Sequence, residues 1–142
     1  MYYDKLLIGK SVKGVSIMHL QESGEMYLET IYVLSLEKNA VRSIDIANHM
    51  GFSKPSVTRG LGLLKDDGFI EKDSDGHIIL TEKGRNHAIR IYERHTLLTD
   101  LFIKIGVDEQ TAADDACRIE HYISDKTFDA IKAYIKKKEL QS

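Results

Sequence analysis

Two short helix-forming stretches, parted by a tight turn and followed at once by a hairpin signal, leave this chain few folds to adopt. Residues 44 to about 50 read as a helix capped by Ser43, with Ile44, Ala47 and Met50 facing inward. Gly51-Phe52-Ser53 makes the turn, and Ser53 caps a second helix opening on Lys54-Pro55. Proline costs little there, because first-turn amides have no intrahelical partner to lose. This helix runs to about Asp67, buries Val57, Leu61 and Leu64, and is closed by Gly68. Residues 69–72 and 77–80 then read as short strands around the turn Asp73-Ser74-Asp75-Gly76. The pattern predicts a winged helix-turn-helix, and so a mainly α fold carrying a small β-hairpin.

The rest of the chain is helical in pattern. A helix is expected from Ser23, as N-cap, to about Glu37, with Leu28, Ile31, Tyr32 and Leu34 on its apolar side. Thr81 caps a long helix to about Ile105 whose stripe is Ala88, Ile91, Tyr92, His95, Leu98, Phe102 and Ile105. Gly106 stops it, Asp108 opens an acidic helix, and Ser124-Asp125 starts the last one. Residues 1–21 show no sustained period and are expected to form a poorly ordered arm, or an early start with Met18 as the true one. The organisation expected is therefore an arm over 1–21, a DNA-binding domain over 22–82 and a helical domain over 83–142. With 142 residues and no apolar run near the ~20 residues of a membrane span, a cytoplasmic protein is expected. The single Cys117 cannot form an internal disulfide, which fits a reducing compartment.

Two groups of residues carry chemistry. On the second short helix Ser53, Lys54, Ser56, Thr58 and Arg59 make a polar outer face, joined by Pro55, by Ser43 ahead of it and by Lys72 on the wing. Serine, threonine and lysine suit phosphates, and arginine can grip guanine through two hydrogen bonds. Alone, such a face is ordinary solvated surface; the turn and wing beside it turn the expectation toward DNA. Gly60 and Gly62 cost this helix roughly 1 kcal/mol each in propensity. Either they permit close packing or they soften the helix.

Cys117, Glu120 and His121 form the other group. In a helix they lie at i, i+3 and i+4 on one face, offering thiolate, carboxylate and imidazole to a transition metal. Met26, Glu29 and His95 add a thioether, a carboxylate and a second imidazole. Taken singly, Met26 reads as core filler, Cys117 as a small buried hydrophobe and His95 as a core histidine; the combination makes a credible shell. His19, His49, His77 and His87 have no ligand-like company in the sequence.

The segments Glu25-Met26-Tyr27-Leu28-Glu29-Thr30-Ile31-Tyr32, Ser53-Lys54-Pro55-Ser56-Val57-Thr58, Leu80-Thr81-Glu82-Lys83-Gly84 and Ala116-Cys117-Arg118-Ile119-Glu120-His121 together resemble the diphtheria toxin repressor family of metal-dependent regulators, which includes the manganese transport regulators. The resemblance runs from about Ser23 to the C-terminus. It implies a winged-helix region, a helical dimerisation region and a metal site. Residue by residue, it places the family's principal site on Met26, Cys117, Glu120 and His121, and a further position on His95. Manganese-type members also use a carboxylate where Glu29 stands, so a second ion on Glu29, His95 and Glu120 is an expectation. The chain departs from the ancillary site of iron-type members, with Thr99 (Asp100 beside it) and Ala113 where those members place ligands. A short form without the extra barrel domain of larger members, like the short manganese regulators, is the expectation.

Thioether and thiolate donors favour softer ions than Mn²⁺, so Fe²⁺ is the expected effector with Mn²⁺ second, and Zn²⁺, Co²⁺ or Ni²⁺ are expected to bind in vitro. The reading is a homodimeric repressor of metal-uptake or homeostasis genes on a palindromic double-stranded operator. A winged-helix regulator sensing an organic ligand, and a small metalloenzyme, are the competing classes. The enzyme lacks any candidate base outside the candidate ligands.

Overall fold

The computed structural model describes the backbone of residues 13–141 and the side chains of residues 22–141. The described residues form six helices and one hairpin: α1 (Lys13–Glu37), α2 (Ser43–Met50), α3 (Lys54–Asp66), β1 (Ile70–Lys72), β2 (Ile78–Leu80), α4 (Glu82–Lys104), α5 (Glu109–Ile119) and α6 (Asp125–Gln141). They divide into two compact units, one up to Ala88 and the other from Ile89 on, with α4 contributing to both. The mainly α class with a β-hairpin wing is what the sequence predicts.

In the first unit, Tyr27, Leu28, Ile31 and Leu34 of α1 pack with Ile46 and Ala47 of α2 and with Val57, Leu61 and Leu64 of α3. Ile70 and Ile78 close this core from the hairpin and Ala88 from α4. Strands β1 and β2 pair antiparallel with Ile70 opposite Leu80 and Lys72 opposite Ile78. The wing is tied back at several points. Ile78 N–H donates to Val41 O (2.7 Å), Thr81 N–H to Phe69 O (3.0 Å), and Thr81 Oγ1 to Gly68 O (2.7 Å). The Thr81 hydroxyl also accepts from Gly84 N–H (3.1 Å), which makes it the cap of α4. Gly84 is required there, since a Cβ would stand 1.9 Å from Phe69 O.

Three local expectations are corrected. Helix α1 continues N-terminally through Ser23, so that residue is interior and caps nothing, and residues 13–21 of the expected arm are helical. Residues 1–12 lie outside the described residues. Ser43 is the first residue of α2, and the cap is Arg42, whose extended backbone offers its N–H to the Asp45 carboxylate (2.9 Å). Ile44, expected inward, is 41% exposed; with the helix starting at Ser43, Ile46 and Ala47 take the core positions.

The choice left open by the two glycines of α3 resolves differently at each. A Cβ on Gly60 would meet the Tyr27 ring at 2.4 Å, so this glycine lets α1 and α3 approach. Among the described residues a Cβ on Gly62 would meet nothing within 4 Å, so no close packing there calls for glycine.

In the second unit, Ile91 and Leu98 of α4, Ala112 and Ala116 of α5 and Phe128 of α6 are buried. The apolar stripe of α4 is narrower than its period predicts, because Tyr92 is exposed and Ile105 is 70% exposed at the helix end. Asp108 caps α5 by accepting from Thr111 N–H (2.9 Å), and Ser124 caps α6 by accepting from Thr127 N–H (3.1 Å). Lys132 pairs with Glu93, and Lys104 with Glu139, both joining α6 to α4.

Candidate metal centre and nucleic-acid interface

The donor residues of the second unit sit where α5 ends. Cys117 is in the last turn, Glu120 is the C-cap with helical dihedrals (φ −56°, ψ −29°), and His121 follows in a turn. The helix thus stops one residue before Glu120, yet the geometry carries through it, with Glu120 N–H still donating to Ala116 O (2.9 Å). As a result Cys117, Glu120 and His121 each offer a donor atom within 4.8 Å of the others. Glu120 is fully buried, and the His121 side chain is 1% exposed with Nε2 3.4 Å from Glu120 Oε1. His95 Nδ1 lies 2.9 Å from Glu120 Oε2.

A buried carboxylate is costly unless matched by positive charge or hydrogen bonds. Here it is surrounded by a thiol and two imidazoles, the side chains that hold divalent transition metals. The chemistry and spacing of this set fit such an ion. Met26 and Glu29 are half-buried on α1 of the first unit.

On the DNA side, Ser53 caps α3 by accepting from Ser56 N–H (3.3 Å), and its hydroxyl lies 2.9 Å from Ser56 Oγ. Lys54, Pro55, Thr58 and Arg59 are exposed on the same helix, and Lys72 is exposed on β1. Ser43 is half-buried at the start of α2. The helix is held from behind by Tyr27, whose hydroxyl donates to Ser56 O (3.3 Å) and whose ionisation burial pushes upward.

Two histidines described above as lacking company have partners. His77 Nδ1 lies 2.9 Å from Asp73 Oδ2, and the Asp73, Asp75 and His77 donors cluster within 4.8 Å on the wing turn. Asp73 also accepts from the His77 and Asp75 backbone N–H groups, and these bonds hold its carboxyl below the usual range. The arrangement locks the hairpin turn, and the Asp-x-Asp-x-His spacing was a readable signal for it. His87 Nε2 lies 3.1 Å from Glu25 Oε1, a pair sixty-two positions apart that no local spacing reveals.

Comparison with known proteins matches residues 19–78 to the iron dependent repressor N-terminal DNA binding domain and residues 81–140 to the iron dependent repressor metal binding and dimerisation domain. The HTH-type transcriptional regulator MntR of Bacillus pumilus is 38% identical over 109 residues, 77% of this chain and 76% of that protein. An uncharacterized HTH-type transcriptional regulator of Methanocaldococcus jannaschii is 30% identical over 120 residues, 83% of this chain and 96% of the relative. The chain belongs to the diphtheria toxin repressor and manganese transport regulator family. As a member it is a metal-dependent, DNA-binding transcriptional repressor of that type. Its fold is shared with the manganese regulator SloR (TM-score 0.71, 26% identity, 80% of this chain) and with T. acidophilum IdeR (TM-score 0.68, 26% identity, 79% of this chain). The chain spans about half of each, 53% of both solved chains. Among the described residues, no helix of this repressor is long and apolar enough to cross a membrane.

Proposed function

We propose that this chain is a cytoplasmic, homodimeric repressor whose effector is Fe²⁺, with Mn²⁺ second, acting on a palindromic operator of metal-uptake or homeostasis genes. The observation that carries the reading is the buried convergence of Cys117, Glu120 and His121, with His95 on the Glu120 carboxylate. These residues would hold the ion; Met26 and Glu29 join the ligand set on their donor chemistry and on the family resemblance. The thiolate of Cys117 and the thioether of Met26 favour Fe²⁺ over Mn²⁺, which prefers oxygen ligands. The manganese-named relatives supply the competing ion.

When bound, the ion supplies charge neutralisation and a fixed ligand geometry, and no catalysis is required of it. It favours DNA binding only by the difference in its affinity for the competent and incompetent forms of the repressor. A coupling of about 1–3 kcal/mol per site, doubled in a symmetric dimer, amounts to roughly thirty- to twenty-five-thousand-fold tighter operator binding. Ser53, Lys54, Ser56, Thr58 and Arg59, with Ser43, Pro55 and Lys72, are the proposed contacts. Phosphate contacts among them make the affinity steeply salt-dependent, and a two-fold dimer reads half-sites about one helical turn apart.

The test is anaerobic binding to a palindromic operator-like duplex, titrated with Fe²⁺, Mn²⁺ or chelator, with Cys117→Ala alongside. Metal-dependent binding that weakens in the variant is expected, with Fe²⁺ effective at lower concentration than Mn²⁺. The reverse order of metals would overturn the iron assignment. Binding indifferent to metal, chelator and variant would favour an organic effector.

A further inference from the structure

Glu120 is held at both ends by consecutive residues of α4. His95 Nδ1 meets its carboxylate at 2.9 Å, and Arg94 Nη1 donates to its main-chain carbonyl at 3.0 Å. The same Nη1 donates to Ile123 O (2.7 Å), while Nη2 donates to the Asp125 carboxylate at the first residue of α6. Arg94 is only 5% exposed, and its guanidinium lies 5.3 Å from the Phe128 ring centroid. Its Nε, also buried, has no hydrogen-bond partner among the described residues. A guanidinium this deep serves to hold something rather than to meet solvent.

What it holds is the segment carrying the donors. Past the last helical residue of α5, Ile119, carbonyls no longer have i+4 amides to accept from. The Ile119 carbonyl closes the turn, accepting from Tyr122 and Ile123 N–H (3.0 Å each). Arg94 takes the carbonyls on either side of this turn, at Glu120 and Ile123, and fastens both to α6. His121 lies inside the bracketed segment. We propose that Arg94 is a positioning residue for the metal centre, fixing through the Glu120 and Ile123 carbonyls where the Glu120 and His121 donors point. The proposal rests on the metal reading above.

Lysine cannot substitute. It carries the charge, but its single nitrogen lacks the planar fork that spans two carbonyls and a carboxylate. Groups that orient metal ligands typically change affinity about 10- to 100-fold when removed.

Co²⁺ titrated into the full chain, under reducing anaerobic conditions, reads this directly. A thiolate-to-Co²⁺ absorption reports Cys117, and the d–d bands report ligand geometry. Arg94→Lys is expected to stay helical, to bind Co²⁺ about 10- to 100-fold more weakly and to show displaced d–d bands. Ile46→Ala, which destabilises the first unit without touching this turn, is expected to keep both bands and affinity. Arg94→Lys with wild-type bands, and affinity within about twofold of wild type, overturns the proposal, as that is far below the effect of removing an orienting group. Should Arg94→Lys fail to fold, Asp125→Ala decides, because it removes the acceptor on Nη2 that orients the guanidinium toward both carbonyls. Its side chain is largely exposed, so folding is tolerated. Displaced bands support the clamp, and unchanged bands overturn it. A wild-type protein without the thiolate band, or one whose band survives in Cys117→Ala, sinks the metal reading and the clamp with it. That outcome is distinct from an intact centre indifferent to Arg94.

Discussion

In the first unit the deepest large side chains are Leu28, Ile31, Ile46 and Val57, all hydrocarbon; in the second they are Ile91 and Leu98 together with Glu120, while Arg94 and the His121 side chain are nearly as hidden. Hydrocarbon burial is non-directional and indifferent to what else is bound, gaining about 25 cal/mol per Å². Buried charge is directional: its contribution depends on whether every partner is in place. The first unit is therefore built to keep one shape, and the second to change its stability with its ligand state. That division suits a repressor whose first unit carries the reading helix and whose second unit carries the buried donors Cys117, Glu120 and His121.

The largest effect that tests this contrast is core truncation. Ile46→Ala should cost about 2–5 kcal/mol, measured by urea unfolding, and by the same amount with and without metal. A cost that changed with metal would break the separation of roles. Next comes metal itself. At a free concentration a hundredfold above its dissociation constant, a bound ion stabilises the folded chain by about 2.7 kcal/mol. Glu120→Gln keeps the shape and an acceptor for His95 but removes the charge, so this metal-induced gain should vanish while Ile46→Ala retains it. Equal gains in both variants would show that Glu120 is not a ligand.

The same contrast explains what the sequence could disclose. Caps and apolar periods are local signals, so Ser53, Thr81, Asp108 and Ser124 and the buried Val57, Leu61 and Leu64 are all legible. Cys117, Glu120 and His121 are legible as a group because i, i+3, i+4 spacing survives the helix end. Where a second element decides, legibility fails. Arg94 stands one residue from His95, and nothing local singles it out until the α5–α6 turn is packed over it. Ser43 is an ideal cap in type, but the Asp45 carboxylate, fixed by Lys38 at 2.9 Å, satisfies Arg42 instead. That lysine bond, with the Arg42 N–H, also keeps the Asp45 carboxyl below its usual range. Ser23 fails as a cap because the helix continues through it.

A smaller effect separates the two glycines of α3, which are identical in propensity. Gly62→Ala meets open space and should stabilise by roughly 0.5–1 kcal/mol through helix propensity alone. Gly60→Ala drives a methyl into the Tyr27 ring, and should destabilise by about 1–3 kcal/mol despite the same propensity gain. Thermal melts of both in the metal-free protein decide it. Two stabilising substitutions would mean that α1 and α3 can part freely and that the first unit is softer than its core implies.

The smallest effect belongs to the cap of α5, and it concerns acid. The Thr111 N–H bound to Asp108 holds that carboxyl below its ordinary value. A folded-state pKa below the unfolded value, near 3.9 for aspartate, gives stability that is present above that value. It is lost as pH falls through the lower, folded one. Asp108→Asn keeps a capping oxygen but does not titrate. The wild type should therefore melt higher than the variant at neutral pH, and the gap should close below about pH 4. If the gap is constant down to the acid limit, the Asp108 charge contributes nothing and the cap acts by hydrogen bonding alone. Because Asp108 opens the helix that ends in Cys117 and Glu120, the same titration followed by the cobalt bands shows whether the far end of α5 responds to its cap. No response is expected, since the donors are held from α4 by Arg94 and His95.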